Sequence, residues 1–197
     1  MSMITHIVCD MGGVLVELQW AERVSGLLGQ TIPLEEIHQL WSQAHSTVDF
    51  ESGRLDFEQF AVAFIEEFSL EVTPAVVQRE VLEFVQAPLP QCNQVLGQLK
   101  SEYHLSLLSN TNPAHYHRLR ERYDFFDYFD QLFLSYEMGV MKPDDAIFQQ
   151  VLSGLDVAPE KVAFFDDGIK NVEAAQRLGM QAYQVTTPAQ ILAALQA

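Results

Sequence analysis

Five short hydrophobic runs along the chain predict buried β-strands. In each run hydrophobic residues follow one another directly instead of alternating with polar ones, which is typical of strands covered on both faces in a parallel sheet. The runs comprise residues 7–9, 105–108, 132–134, 162–165 and 182–185. Stretches with helical periodicity separate the later runs, so the pattern predicts an α/β fold built around a doubly wound parallel sheet.

The helices between these strands carry recognisable end signals. Asn112 and Pro113 are the residue types of an N-cap and a first helical position, and Gly179 stands where a helix is expected to end. Within each stretch, apolar residues recur at the spacing of one helix face. The predicted helices comprise residues 113–123, 146–155, 170–178 and 188 to the last residue.

The segment from residue 18 to residue 87 breaks this alternation. It predicts four helices and no strand, at residues 21–28, 34–45, 57–68 and 74–84. Asp56 and Gln59 resemble a capping box at the start of the third. Residues 16–20 and 87–90 are natural hinges on either side. We therefore expect an α/β catalytic core formed by residues 1–17 and 88–197, with residues 18–87 inserted after the first strand as a helical cap.

Composition and charge exclude several classes of protein. The chain has 197 residues, of which 48% are hydrophobic, and its 11 Lys+Arg against 27 Asp+Glu give a net charge of −16. The hydrophobic fraction is too high for a disordered chain, and the acidity argues against nucleic acid or an anionic membrane as a partner. No apolar stretch reaches the ~18 residues of a membrane span.

Cysteine usage and the first residues indicate the compartment. Cys9 and Cys92 are too few for a disulfide scaffold, and the start of the sequence lacks the pattern of a secretory signal peptide. We expect a soluble, cytoplasmic protein that is a monomer or a small homo-oligomer.

Polar residues stand at or shortly after the ends of four predicted strands. Because the carboxyl ends of parallel strands converge on one crevice, we expect these side chains to meet there. They are Asp10, Ser109, Asn110, Lys142, Asp166 and Asp167.

Such a set of groups is suited to phosphoryl transfer. Crowded carboxylates raise one another's pKa, and Mg²⁺ relieves that repulsion while also binding substrate phosphate. Lys142 and Ser109 supply donors for the phosphoryl group, and one carboxylate free to attack phosphorus would form an aspartyl-phosphate. Phosphoryl transfer needs mainly positioning and charge neutralisation. The competing interpretation is structural, because aspartates after strands often cap the next helix.

These residues, taken in order, resemble the four motifs of the haloacid dehalogenase-like (HAD) superfamily. The inserted helices resemble its small C1-type cap, and the resemblance covers essentially the whole chain. The first motif is similar to that of the α-D-glucose-1-phosphate phosphatase and epoxide-hydrolase N-terminal-like branch. The matching segments are Asp10 to Leu15, Ser109-Asn110, Lys142-Pro143 and Asp166 to Asn171.

The resemblance implies a fold, an activity and a metal site. The fold would be a Rossmann-like parallel-sheet core with the C1-type cap inserted after the first strand. The activity would be Mg²⁺-dependent hydrolysis of a small phosphorylated metabolite, such as a sugar phosphate. Asp10 would be the nucleophile and a metal ligand, and Gly12 would offer its backbone carbonyl. Asp167 would bind the metal directly, and Asp166 directly or through water.

The resemblance also implies a phosphate site. Ser109 and Asn110 would hold the phosphate oxygens, and Lys142 would neutralise them. Asn171 would support the loop after the fourth strand, and in the cap we name Arg54 as a substrate contact.

Gly12 is a departure from the family pattern. Most of these phosphatases carry at this position an Asp that protonates the leaving oxygen and then activates water, and such help is worth ~10²–10⁴-fold. Three explanations stay open. The substrate has a good leaving group, as an anomeric sugar phosphate does; another carboxylate replaces the Asp, with Glu17 the first choice; or catalysis has been lost.

Two other functions also stay open. A metal-independent 2-haloacid dehalogenase would use a similar scaffold and nucleophilic Asp, but chloride displacement needs no cation, so the pair of Asp166 and Asp167 favours a phosphatase. A catalytically degraded module that binds phosphate or another protein is the third hypothesis.

Overall fold

The computed structural model describes the backbone of residues 3–196 and their side chains except those of residues 34 and 35. Within this range the strands are β1 (His6–Cys9), β2 (Val16–Leu18), β3 (Val85–Pro88), β4 (His104–Ser109), β5 (Gln131–Leu134), β6 (Val162–Asp166) and β7 (Gln181–Gln184). The helices are α1 (Trp20–Leu27), α2 (Leu34–Gln43), α3 (His45–Glu51), α4 (Phe57–Phe68), α5 (Pro74–Leu82), α6 (Cys92–Lys100), α7 (Pro113–Arg122), α8 (Ser135–Met138), α9 (Asp145–Leu155), α10 (Ile169–Arg177) and α11 (Pro188–Leu195).

A five-stranded parallel sheet in the order β5-β4-β1-β6-β7 forms the centre of the protein. Its strands are the five predicted from the hydrophobic runs, with each end displaced by at most one residue. His6 lies opposite His104 of β4 and Val162 of β6, so β1 is hydrogen-bonded on both sides. The α/β fold with a parallel sheet is thereby confirmed. The strands after β1 are added first on one side of it, as β4 and β5, and then on the other, as β6 and β7, and this reversal creates a crevice at the carboxyl ends of the central strands.

Helices cover both faces of the sheet. Ile7 and Cys9 of β1 pack into one hydrophobic cluster with Leu96 of α6 and Ile191 of α11. Val8, which points to the opposite face, packs into a second cluster that includes residues of α9 and α10. The near-continuous hydrophobic pattern of the strands follows from this double coverage.

Local end signals of the predicted helices are found in the structure. Asp56 and Gln59 form the capping box of α4, and the side chain of Asn112 accepts the N–H of His115 at the start of α7. Gly179 has a φ of +91°, in the region that glycine adopts without strain. None of the helices within residues 3–196 combines the length and the apolar character needed to cross a membrane.

Helices α1 to α5 build a hydrophobic core of their own, rich in aromatic side chains. Phe50, Phe60 and Phe64 are buried in it, and Trp41 packs against Phe60 and Phe64. The predicted helix 34–45 is wrong in one respect. Helix α2 ends before Ala44, where the backbone is extended, and a separate helix α3 runs from His45 to Glu51.

The two segments predicted as hinges are paired β-strands. Strands β2 and β3 run antiparallel, with Val16 opposite Pro88 and Leu18 opposite Val85, so the prediction of no strand between residues 18 and 87 is wrong. These segments lie side by side because the chain enters and leaves the helical segment at one place. Their pairing gives the backbone N–H and C=O groups hydrogen-bond partners. Helices α6 and α8 were also not predicted, although Cys92, Val95, Leu96 and Leu99 of α6 are buried at helical spacing.

Candidate active site

The carboxyl ends of three adjacent strands place the main polar groups together. Asp10 follows β1 directly, Ser109 is the last residue of β4, and Asp166 is the last residue of β6. Lys142, from the loop before α9, reaches them from the side. Its Nζ lies 2.8 Å from Oδ1 of Asp10 and 2.6 Å from Oδ2 of Asp166, and it donates to the carbonyl of Leu108 at 3.1 Å. A single ammonium group therefore bridges two carboxylates.

These bridged groups are buried. Asp10, Lys142 and Asp166 are 8%, 5% and 0% exposed, and charges removed from water in this way require partners. Burial raises the pKa of Asp10 above its usual range against the opposing charge of Lys142, and the neighbouring carboxylates add to the rise. Burial alone would lower the pKa of Lys142, but the two carboxylates outweigh it and raise that pKa. The lysine is thus fixed in its charged form.

Both oxygens of Asp166 are held in place. Oδ2 accepts from Lys142, while Oδ1 accepts the backbone N–H of Gly168 and the side-chain amide of Asn171, each at 2.8 Å. Asn171 therefore supports the loop after β6 as expected. With its oxygens engaged, Asp166 is suited to positioning Lys142. Asp167 as the more direct metal ligand stays a prediction.

The side chain of Asn110 fixes the backbone of Lys142. Its Oδ1 accepts the N–H of Lys142 at 2.8 Å, and its Nδ2 donates to the carbonyl of the same residue at 2.9 Å. This engagement places Asn110 beside the expected phosphate site as the anchor of the lysine. Among the residues that the structure describes, the buried hydroxyl of Ser109 has one long contact, 3.4 Å to the carbonyl of Asn110, and is available to a ligand.

Three carboxylates at this edge of the sheet form a set of oxygen donors. One oxygen each of Asp10, Asp166 and Asp167 lies within 4.8 Å of the others. Burial and the charge of Asp166 raise the pKa of Asp167, as expected for crowded carboxylates. One lysine against three carboxylates leaves an excess of negative charge. Hard oxygen donors with unbalanced charge fit a divalent cation such as Mg²⁺.

The two glycines of the first motif differ in how strictly the structure requires glycine. Gly13 has a φ of +73°, and a Cβ there would collide with the carboxylate of Asp167. A Cβ on Gly12 would lie 2.8 Å from Cδ1 of Leu18. The contacting atom is the end of a flexible side chain, so position 12 can accept a larger residue when Leu18 turns aside, whereas the positive φ of Gly13 restricts that position.

Two predicted residues lie apart from the cluster. Glu17 is exposed on β2, and Arg54 is exposed and pairs with Asp49 at 2.6 Å. In the part of the chain that the structure describes, no hydrogen bond or ion pair joins either side chain to the cluster. Their roles as substitute acid and substrate contact stay predictions.

Glu51, a buried carboxylate at the end of α3, was not predicted from the sequence. Its Oε1 accepts from Nε1 of Trp41 at 3.4 Å, and its backbone carbonyl accepts from the hydroxyl of Ser135 at 2.6 Å. Burial raises the pKa of Glu51 to about 7, while Trp41 and the charge of Lys142 oppose that rise. The spacing of Thr47, Phe50 and Glu51 could have indicated a buried helix face that includes Glu51. This face becomes evident only when a new helix is known to begin after Ala44.

Known proteins resemble this chain in sequence and in structure. It matches the haloacid dehalogenase-like hydrolases over residues 4–179. The D-ribitol-5-phosphate phosphatase of Bacteroides thetaiotaomicron is 30% identical over 194 residues, covering 92% of each chain. A HAD family enzyme of the same species, solved with magnesium and inorganic phosphate, is 27% identical with a TM-score of 0.77, covering 92% of this chain and 93% of that one.

A dehalogenase shares the fold at lower similarity. The L-2-haloacid dehalogenase of Xanthobacter autotrophicus, with chloropropionic acid covalently bound, is 22% identical with a TM-score of 0.68, covering 93% of this chain and 78% of that one. Three observations indicate the same family: the order of the motifs, the parallel sheet with its cluster of carboxylates at the strand ends, and the match over residues 4–179. The chain belongs to the haloacid dehalogenase-like hydrolase family.

Proposed function

We propose that this protein is a Mg²⁺-dependent phosphatase that hydrolyses a small phosphorylated metabolite of the sugar or polyol phosphate type through an aspartyl-phosphate on Asp10. The observation that carries the proposal is the bridge of Lys142 between Asp10 and Asp166, with the oxygens of Asp167 close by. The similarity to a D-ribitol-5-phosphate phosphatase, and to a family member that binds magnesium and inorganic phosphate, supports it.

Asp10 is prepared for attack by an asymmetric environment. Its Oδ1 accepts from Lys142 at 2.8 Å and from the N–H of Met11 at 2.7 Å. Among the residues described, none donates to Oδ2, so one oxygen is anchored and the other is free to approach phosphorus. Fixing the carboxylate in this way removes orientational freedom before the reaction, which is the main protein contribution to phosphoryl transfer.

The anionic phosphoryl group requires positive charge and hydrogen-bond donors. Lys142 supplies a fixed ammonium group, and Ser109 supplies a free hydroxyl at the same edge of the sheet. Asp10, Asp167, Asp166 and the carbonyl of Gly12 would hold the Mg²⁺, which neutralises phosphate charge when bound. The positive charges of Lys142 and of the Mg²⁺ would allow a protein with a net negative charge to bind an anionic substrate at this site.

The helical segment is proposed to cover this site. Residues 18–87 would act as the cap and residues 1–17 and 88–197 as the catalytic core, a division supported by the separate hydrophobic cluster of α1 to α5. We also place the enzyme in the cytoplasm, where small phosphorylated metabolites are found.

Hydrolysis of a panel of phosphate esters, with Mg²⁺ and after chelation, tests the proposal. We expect Mg²⁺-dependent release of phosphate from sugar or polyol phosphates, and loss of release in Asp10→Asn with the fold intact by circular dichroism. Turnover retained in Asp10→Asn would remove the nucleophile. Chloride release from a 2-haloacid without metal, with no ester hydrolysed, would replace the phosphatase by a dehalogenase. Including both glucose 1-phosphate and glucose 6-phosphate shows whether a good leaving group is needed.

A further inference from the structure

Position 12 cannot supply an acid to the proposed reaction. Gly12 has no side chain, and Leu18 occupies the space beside it. An oxygen that leaves an alkyl phosphate needs a proton, because an alkoxide is a poor leaving group. Glu17, the nearest carboxyl group in sequence after the first motif, is exposed on β2. Any proton donor must therefore come from another part of the fold.

Glu51 is a buried carboxyl group outside the strand-end cluster. Among the described residues, the buried Asp, Glu and Lys side chains are Asp10, Glu51, Lys142 and Asp166, so three of the four belong to the cluster. Buried carboxyl groups are rare because they lose hydration and must be compensated by hydrogen bonds. The carboxylate of Glu51 has one long hydrogen bond, from Trp41 at 3.4 Å, in the part of the chain that is described. Packing alone gives no reason for a carboxyl group here.

Ser135, the first residue of α8, joins the end of α3 to the loop that follows β4. The hydroxyl of Ser135 lies 2.6 Å from the carbonyl of Glu51, and it accepts the N–H of Thr111 at 2.9 Å. Thr111 is two residues beyond Ser109, so Glu51 is tied to the loop of the proposed phosphate site. Gly53 permits this approach, since a Cβ there would collide with the backbone of Tyr136.

The side chain of Glu51 is also coupled to the cluster. The charge of Lys142 acts on it, and Lys142 in turn touches Asp10. Glu51 thus belongs to the helical segment, and its backbone is joined through Ser135 to the loop that carries Ser109 and Thr111. With the helical segment covering the site as proposed, a leaving group on the side away from Asp10 would face that segment.

We infer that Glu51 is the proton donor that position 12 lacks, and this inference rests on the proposed function. As Oδ2 of Asp10 bonds to phosphorus, the bond from phosphorus to the leaving oxygen breaks, its electron pair stays on that oxygen, and Glu51 gives it a proton. Water then attacks the aspartyl-phosphate and passes a proton back to the Glu51 carboxylate. The bond from Asp10 to phosphorus breaks, and inorganic phosphate leaves with both side chains restored.

The electrostatic environment of Glu51 suits this role. Burial raises its pKa to about 7, and the hydrogen bond from Trp41 and the positive charge of Lys142 oppose that rise. Both protonation states are then accessible at neutral pH, which a group that gives and retakes a proton requires.

A leaving-group experiment tests the inference. The rate at which the alcohol or phenol is released in the first turnover is measured for wild type and Glu51→Gln, with an alkyl phosphate hydrolysed in the panel and with p-nitrophenyl phosphate. The p-nitrophenolate ion leaves without a proton. We expect Glu51→Gln to slow release from the alkyl ester by ~10²–10⁴-fold and to leave the p-nitrophenol burst close to that of wild type. Glu51→Asp, which keeps the carboxyl group, should recover part of the loss.

The outcomes separate this inference from the proposed function. Absence of turnover by wild type on both esters refutes the phosphatase itself. Turnover by wild type with an equal loss on both esters in Glu51→Gln, or with no loss on either, refutes only the role of Glu51. Glu66→Gln, the same change at an exposed position of α4, is the matched control.

His38 of α2 is the rival donor to be tested in the same way. It is an exposed residue of the same helical segment that carries Glu51. A leaving-group-dependent loss in His38→Gln, or in Glu17→Gln, without one in Glu51→Gln would overturn the assignment. The circular dichroism spectrum and thermal midpoint of each variant, compared with wild type, show that the comparison is made on folded protein.

Discussion

His115 links the stability of the protein to pH. It is buried in α7, where its Nδ1 lies 3.0 Å from the side-chain amide of Asn112 and its Nε2 lies 2.7 Å from the carbonyl of Val81 in α5. The Oδ1 of Asn112 already accepts the N–H of His115, so its amide group faces Nδ1 as a donor. Nδ1 therefore accepts and Nε2 donates, which only the neutral ring can do.

Burial sets the magnitude of the effect. Burial lowers the pKa of His115 from 6.5 to about 4. The hydrogen bond to Val81 opposes this shift, and the positive charge of Arg118 adds to it. The unfolded chain binds a proton more readily than the folded one between these values, so stability falls as the pH falls. From this residue alone we expect a loss of ~2 kcal/mol between about pH 7.5 and pH 5, and of ~3 kcal/mol by about pH 4.

Urea unfolding over this pH range measures the effect. His115→Gln keeps a donor for Val81 but cannot titrate, so its free energy of unfolding should fall less with acid than that of wild type, by the same ~2 kcal/mol. His117→Gln, at an exposed position of the same helix, is the control and should retain the wild-type slope. Parallel pH profiles for wild type and His115→Gln would refute the reasoning.

Three further substitutions have defined outcomes. Gly13→Ala should lower the free energy of unfolding by ~1–3 kcal/mol, because φ is +73° there and a Cβ would collide with Oδ2 of Asp167; a wild-type value would contradict this. Asn110→Ala removes both bonds to the backbone of Lys142 and should cost about 1–3 kcal/mol in urea unfolding as well as lowering kcat. Ser135→Ala removes the bridge to the end of α3 and should destabilise by about 1–3 kcal/mol, with no change as the contrary result.

The sheet and its cluster were predictable because the decisive information is local. Each residue from Ile7 to Cys9 is fully buried, so β1 is a continuous hydrophobic run that ends at a single carboxylate. The convergence of parallel strand ends then places Asp10 near Asp166 and Lys142 without knowledge of any distance. What the sequence did not reveal is that one ammonium group joins the two carboxylates.

The start of α3 shows why other parts were not predictable. Nothing in the residue type of Ala44 ends a helix, since alanine favours the helical state. The N–H groups of His45 and Ser46 are instead capped by the carboxylate of Glu67, at 2.8 Å and 2.9 Å. This cap comes from α4, distant in sequence, so no local pattern signals it. Without knowledge of this helix boundary, the buried face of α3 that carries Glu51 could not be predicted.

The pairing of β2 with β3 has a consequence for how such a protein can change. Because the chain departs and returns on neighbouring antiparallel strands, the two ends of the segment 19–84 are held side by side by hydrogen bonds between β2 and β3. A segment attached in this way can be lengthened, shortened or exchanged without rethreading the five-stranded sheet. Selection could therefore replace the surface of this segment while the residues at the strand ends of the sheet stay where they are.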